Sequence, residues 1–318
     1  MDAYHPRPYR RREIPKEDGK VCVISIPAIR DRVVQGALRL ILEPIFEADF
    51  SDSSYGARPG RSAHEAIEKV CAGLRQGRHR VVDVDLSRYF DTIRHDRMLA
   101  KVVRRVVDGD VLAMVKQFLK STGDRGVPQG SPLSPLLANL AFDDLDHALD
   151  RGGDTITYAR YLDDMVVLAA DTPKGRQWAD RALVRIRQEA EAIGVSLNAE
   201  KTRLVTITEP GASFAFLGFE YRWERSSKTG RWYASRVPRP KKVIAVLQEV
   251  GKILRRSRHL HASGSGAGEP DPAGLGELLS CRQFGDGIRQ DQVRGRTQGE
   301  ATGGQEVQAQ EIRLEAVE

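Results

Sequence analysis

The order of apolar and polar positions divides the chain into short helical and extended segments. A basic, irregular stretch covers residues 7–20, where Asp18-Gly19 has the chemistry of a hairpin turn. Pro27 is placed to open a helix at its first position. Ile29, Val33, Ala37, Leu40 and Ile41 then share one face at 3.6-residue spacing, and Pro44 is expected to end the helix. Ser62-Ala63-His64-Glu65 is a capping box that starts a second helix near residue 63, and Gly77 stops it. Val81–Leu86 is short, alternating and β-branched, which predicts a strand. Residues 95–120 read as helix broken near Gly109, followed by a loop at 121–133 and a helix from Ser134 to Leu149. After a break at Gly152-Gly153, residues 155–161 and 165–170 read as two strands about a tight turn at Leu162-Asp163-Asp164. A helix from Lys174 to Ile193 stops at Gly194. Strands follow near 203–208, 214–219 and 231–237, then a basic helix over 240–257. There is no internal repeat.

Residue 261 marks a change. Eleven of the 29 glycines lie in the last 58 residues, Phe284 is the only aromatic there, and no apolar period is sustained. That composition predicts disorder. The charge is divided in the same place. The last 58 residues hold five Arg, no Lys and ten Asp or Glu, so residues 1–260 carry +11 against a total of +6. A body so basic attracts polyanions, of which nucleic acid is the commonest.

With 40% hydrophobic and 30% charged residues the chain has the composition of a soluble globular protein. No apolar run is long enough to span a membrane, and the N-terminus lacks the apolar core of a secretory signal. A cytoplasmic location is expected. Cys22, Cys71 and Cys281 have no metal-site or paired spacing, which excludes a zinc-finger or disulfide-framework protein.

The chemistry concentrates in acids on strands. Alternation puts Val81, Asp83 and Asp85 on one face and Val82, Val84 and Leu86 on the other. Alone, that pattern is equally an edge strand with a solvated acidic face. Asp163 and Asp164 sit in a turn, where Asp is common, but the strands on both sides are strongly apolar, so the hairpin should be buried. Two carboxylates about 4 Å apart repel by roughly 4 kcal/mol at an effective dielectric near 20. A divalent cation would make such a cluster tolerable. Mg²⁺ takes one or two carboxylates together with substrate phosphates, and a pair of such ions suits in-line phosphoryl displacement.

Seven segments in order make the pattern specific: IPKEDGK with SIPAIRDRVVQGALRLILEPIFE, SYGARPGRSAHEAI, VVDVDLSRYFDTIRHD, GVPQGSPLSPLLANL, RYLDDMVVLA, GVSLNAEKT and FAFLGF. Together they resemble the reverse transcriptases encoded by bacterial group II introns, from Arg10 to Lys242. The resemblance implies an α/β (α+β) right-hand polymerase fold, with an antiparallel palm sheet backed by helices and helical fingers before it. Residues 1–80 would be fingers, 81–237 palm and 238–260 the start of a thumb. The implied reaction is attack of a DNA primer 3′-OH on a dNTP over an RNA template. Two Mg²⁺ ions, with Mn²⁺ as a substitute, would be held by Asp85, Asp163, Asp164 and the Leu86 carbonyl. Asp83 would be a supporting or structural acid. Lys201 would assist the leaving pyrophosphate. Phe90 would gate the sugar, Gln129 would contact the nucleotide, and Lys16 and Arg58 would reach its phosphates. Leu217 and Gly218, in Phe216–Phe219, would form the primer grip, with Gly218 allowing close backbone approach. Arg61 and Lys69 would add charge toward template or nucleotide. Ser131 and Ser134 are expected to cap the following helix.

The chain departs from the family pattern in places. Cys22 stands where the family often has Arg, so Lys20 or Arg30 would have to supply the charge. Ala57 replaces a common aromatic, and Leu162 replaces the usual Ala of the turn. The thumb opens at PRPKKVIAVLQEVGKILRRSRHLH, but the basic, aromatic-rich maturase segment expected next is replaced by the Gly/Gln/Glu tail. A frameshift or truncation is one reading of that tail. Group II intron RNA is the further partner the family implies. The competing readings are a catalytically impaired RNA-binding maturase remnant, and a retron, diversity-generating or CRISPR-linked reverse transcriptase of the same chemistry.

Overall fold

The structure, a computed structural model, describes residues 4–15, 21–121 and 123–262. In chain order it contains strands β1 (Arg10–Pro15) and β2 (Val21–Ile26), helices α1 (Ile29–Glu47) and α2 (Ala63–Arg75), and strands β3 (Arg80–Val84) and β4 (Leu86–Ser87). Helices α3 (Tyr89–Thr92), α4 (His95–Val103), α5 (Gly109–Lys120) and α6 (Ser134–Asp150) follow, then strands β5 (Ile156–Tyr161) and β6 (Asp164–Ala169) and helix α7 (Pro173–Ala192). The last elements are β7 (Ser196–Leu197), β8 (Arg203–Thr206), β9 (Ser213–Phe216), β10 (Phe219–Arg225), β11 (Trp232–Pro238) and helix α8 (Pro240–Ala262). The described residues all fall in one compact unit, Met1–Ala267. The tail expected to be disordered, and the hairpin turn at Asp18-Gly19, lie outside the described residues.

The centre is a four-stranded antiparallel sheet in the order β5-β6-β3-β8. Apolar residues line both its faces, so both are covered. Val82, Val84, Met165 and Val167 join one core cluster with α6 and α7. Val81, Val166 and Leu168 join a second with α2 and the three-stranded sheet β11-β10-β9. The acidic strand β3 therefore lies between β6 and β8 and is no edge strand. The fold is mixed α and β, with antiparallel sheets and helices packed on them.

Local chemistry explains several boundaries. The capping box of α2 forms as its sequence predicts: Glu65 N–H donates to Ser62 Oγ (3.3 Å) and Ser62 N–H donates to Glu65 Oε2 (2.6 Å). Asp108 caps α5 by accepting from Asp110 and Val111 N–H (2.9 Å each), so Gly109 opens that helix and the break lies before it. The stretch read as irregular at 10–15 is strand β1, paired with β2. Pro44 lies inside α1, three residues from its end, where the missing N–H affects only the last turn.

The face assigned to α1 is reversed. Ile29, Val33, Leu40 and Ile41 are exposed, at 80%, 67%, 74% and 59%. Asp31, Gln35, Leu38, Leu42 and Phe46 are buried instead. The polar pair can turn inward because it is satisfied. Asp31 accepts from the Tyr4 hydroxyl and from Arg7 N–H, and Gln35 donates to the Tyr9 hydroxyl (2.9 Å).

Candidate active site

β3 and β6 run antiparallel, with Val84 opposite Met165. The ladder ends at that pair; Asp85 and Asp164 are the next residues on the two strands, close enough for the Asp85 charge to bear on the Asp164 carboxyl. The faces agree as well. Asp83 and Asp85 share the face of Val81, Asp164 shares that of Val166 and Leu168, and both faces turn toward β9–β11. Two acids 79 positions apart in sequence are therefore brought near one another where the pairing of β3 with β6 ends.

Asp163 and Asp164 stand at the β5–β6 turn, where Tyr161 pairs with Asp164. Leu162, at the first central position of that turn, has φ +57°, a conformation in which non-glycine residues are uncommon. Asp163 is exposed, while Asp164 is largely covered. Asp164 Oδ2 accepts from Leu217 N–H (2.9 Å), which links the β5–β6 turn to the β9–β10 turn. Burial first, and then the neighbouring charges of Asp163, Asp83 and Asp85, push the Asp164 carboxyl up to about 7, against the bond from Leu217.

Asp85 occupies the gap between β3 and β4, where the strand leaves the main sheet to pair with β7. Its carbonyl accepts from Asn198 N–H (2.8 Å) and from the Thr202 hydroxyl (3.3 Å), and its Oδ2 accepts from Asn198 Nδ2 (3.0 Å). Asn198 and Thr202 are thus supports for Asp85 that spacing did not single out, although both lie within the LNAEKT motif. Lys201 Nζ is 3.8 Å from Asp85 Oδ2 on a mostly exposed side chain. Leu86 is buried, and its backbone pairs with Leu197. Asp83 is held by Arg203 (3.2 Å). Its carboxyl is raised by burial, against that bond.

A cavity of about 540 Å³ is lined by Phe90, Gln129, Gly130, Ser131 and Arg32 among others. Phe90 and Gln129 therefore do meet. Arg32, an exposed cation on α1, joins them and had no sequence signal beyond its charge. Ser131 and Ser134 do not cap α6, whose start has no side-chain cap. Ser131 donates to Gln35 (2.7 Å) and Ser134 to the Pro128 carbonyl (2.8 Å), which folds the Pro128–Gly130 loop onto α1 and itself.

Other expected phosphate contacts are engaged elsewhere. Arg58 is buried; its guanidinium donates to Glu47 (2.8 Å) and to the carbonyls of Ser51 and Ser54 (2.6 Å to Ser54). It ties a loop together and does not face the acids. Lys69 donates to Ser53 (2.7 Å) in a separate cavity, Arg61 pairs with Asp52, and Arg30 donates to the His5 carbonyl (2.8 Å). Lys16 and Lys20 lie outside the described residues. Leu217 and Gly218 form the β9–β10 turn with φ of +50° and +82°. A Cβ on Gly218 would meet no atom of the chain closer than 3.8 Å, and its positive φ by itself favours glycine there.

The donor set is one of hard carboxylate oxygens. Among the described residues no three His, Cys, Asp or Glu side chains form a ready-made metal cage. Hard carboxylate oxygens are the donors that Mg²⁺ takes, together with substrate phosphates and water. The shortage of positive charge around Asp164 favours a cation in the same place.

The sequence model of the reverse transcriptase (RNA-dependent DNA polymerase) family matches residues 14–221, most of the described chain. The protein belongs to the reverse transcriptase family. Protein YkfC of Escherichia coli K12 is 32% identical over 283 residues, covering 75% of this chain and 73% of YkfC. The group II intron-encoded protein LtrA of Lactococcus lactis is 35% identical over 154 residues, 45% of this chain but 26% of LtrA. These relatives agree with the group II intron branch of the reverse transcriptases. Among solved structures, a telomerase from Candida tropicalis truncated from its C-terminal domain superimposes with a TM-score of 0.54 at 12% identity. That match covers 67% of this reverse transcriptase and 53% of the telomerase chain, and it establishes a shared fold. No helix among the described residues is long and apolar enough to cross a membrane.

Proposed function

We propose that this chain is an RNA-directed DNA polymerase that transfers dNMP units to a primer 3′-OH on an RNA template, with Asp85, Asp163 and Asp164 as its metal-binding acids. The observation that supports this reading is the pairing of β3 with β6, at whose end Asp85 lies near enough to the Asp163–Asp164 turn for its charge to act on Asp164. Two Mg²⁺ ions bound there would supply Lewis acidity and neutralise charge at the phosphate undergoing displacement. The Leu86 carbonyl is the further ligand in this reading.

The chain's own groups do the rest. Asn198 and Thr202 fix Asp85, and Leu217 N–H fixes Asp164. Phe90, from the lining of the cavity, discriminates against a 2′-OH, and Gln129 contacts the incoming nucleotide. Arg32 replaces Arg58 as the cation facing that cavity, and Lys16 reaches the phosphates. Lys201 acts as a cation or proton donor for the leaving pyrophosphate. The Leu217-Gly218 turn positions the primer end. The RNA partner beyond the template is group II intron RNA.

The test is extension of a DNA primer on an RNA template with dNTPs and Mg²⁺. Incorporation that disappears in Asp163→Asn supports a polymerase. RNA binding without incorporation by the unmodified chain supports the maturase-remnant reading instead.

A further inference from the structure

Behind the catalytic turn, on the sheet face opposite Asp85 and Asp164, lies a buried ion pair that the chemistry does not use. Arg160, on β5, and Asp146, on α6, are both fully buried. All five guanidinium donors of Arg160 are committed. Nε and Nη2 grip Asp146 as a fork (2.8 Å from Nε to Oδ1), and Nη2 also donates to Ser54 Oγ (2.8 Å). Nη1 donates to Asn139 Oδ1 and to the Leu162 carbonyl, each at 3.1 Å. Tyr158 donates to Asp146 as well (2.7 Å).

Leu162 is the residue of the turn with positive φ, directly before Asp163. Such a conformation is sparsely populated by residues that carry a Cβ and persists only where surroundings enforce it. Two groups enforce it here. Arg160 holds its carbonyl from behind. On the outer side Gly56 is so close that a Cβ there would lie 2.6 Å from Leu162 N and 2.8 Å from Leu162 Cγ. The two sides are tied together. Asn139 accepts from Arg160 and donates to the Gly56 carbonyl (2.7 Å). The loop that contains Gly56 is bonded to β5 by Tyr55 N–H to the Arg160 carbonyl and by Arg160 N–H to the Ser53 carbonyl (2.9 Å each).

We propose that Arg160 is a positioning residue for the catalytic turn, and that with Gly56 it clamps Leu162 so that Asp163 and Asp164 are held ready for metal. Its bearing on catalysis rests on the polymerase reading above; its bearing on the turn does not.

Two variants disturb the clamp by different routes. Arg160→Lys keeps a positive charge against Asp146, but one ammonium cannot reach Asp146, Ser54, Asn139 and the Leu162 carbonyl together. Gly56→Ala leaves the ion pair intact and pushes on Leu162 from outside. Ser62→Ala, at the start of α2, serves as a control. Two readouts are taken: amide hydrogen exchange of the 161–165 segment, and single-turnover dNTP incorporation across a Mg²⁺ titration. Both clamp variants should exchange at the turn at least tenfold faster while β3 stays protected. Both should need several-fold more Mg²⁺ for half-maximal rate, with unchanged primer–template affinity. Wild-type protection of the turn in both variants overturns the clamp, whatever the activity. Faster turn exchange in both variants, with no dNTP incorporated by the unmodified chain, retains the clamp and refutes the polymerase reading.

Discussion

Asp146 and Asp164 lie on opposite sides of the β5–β6 hairpin, and both carboxylates are withdrawn from water. Asp146 is fully buried, gripped by the Arg160 guanidinium and bonded by Tyr158. Asp164 has one backbone N–H and three other acids around it, and its carboxyl is pushed up to about 7 by burial and those neighbours. Where the chain needs only a scaffold, it supplies the counter-ion from its own sequence. Around Asp164, at the proposed metal site, charge is left uncompensated.

The largest effect that could break this contrast is on activity. Asp164→Asn should lower incorporation by roughly 10³-fold or more, the scale of losing metal-assisted charge stabilisation. The same variant should make the metal-free protein more stable at pH 8, because a repelled carboxylate is gone. Activity retained, or stability reduced, would place Asp164 with Asp146 as a structural acid.

Asp146→Asn should have the opposite sign on stability. It strands the Arg160 charge in the interior and should cost about 3–5 kcal/mol in urea unfolding. A loss below about 1 kcal/mol would mean that the pair is not the buried, satisfied bridge described above.

Protons sharpen the contrast. The folded carboxyl of Asp164 titrates near 7, against an ordinary value of 3.8. Between those limits the folded chain holds a proton that the unfolded chain has released. Its contribution to stability is therefore complete below pH 4 and declines as pH rises to 7. Thermal unfolding of metal-free protein should show that decline, and Asp164→Asn should flatten it. An unchanged slope in the variant would assign the pH dependence to another group. The smallest effect gives a local scale: Ser62→Ala removes an ordinary helix cap and should cost about 1 kcal/mol with no change in metal dependence.

Sequence made the active side of this contrast legible and hid the other. Strand alternation put Asp83 and Asp85 on one face, and the apolar flanks of Leu162-Asp163-Asp164 implied a buried hairpin; the sheet has both features. Their convergence needed the β3–β6 register, which local pattern does not encode. The scaffold side was silent because its partners are distant in the chain. Arg160 and Ser54 are 106 positions apart, and Asp146, on α6, is buried against Arg160 of β5. The same blindness reversed α1. Apolar spacing selected Ile29, Val33 and Leu40, whereas hydrogen bonds with Tyr4, Arg7 and Tyr9 allow Asp31 and Gln35 to face inward. Arg58 was misplaced for a related reason: a charge in a motif does not disclose that its donors are already used by Glu47 and loop carbonyls.

The most direct measurement is a Mn²⁺ titration followed by electron paramagnetic resonance, on the chain bound to an RNA template, a 3′-dideoxy-terminated DNA primer and the matching dNTP. The unmodified chain should bind the pair of ions that in-line displacement uses, and Asp85→Asn combined with Asp163→Asn should lose them. Equal Mn²⁺ binding by the unmodified and doubly substituted chains would contradict a metal site at these acids.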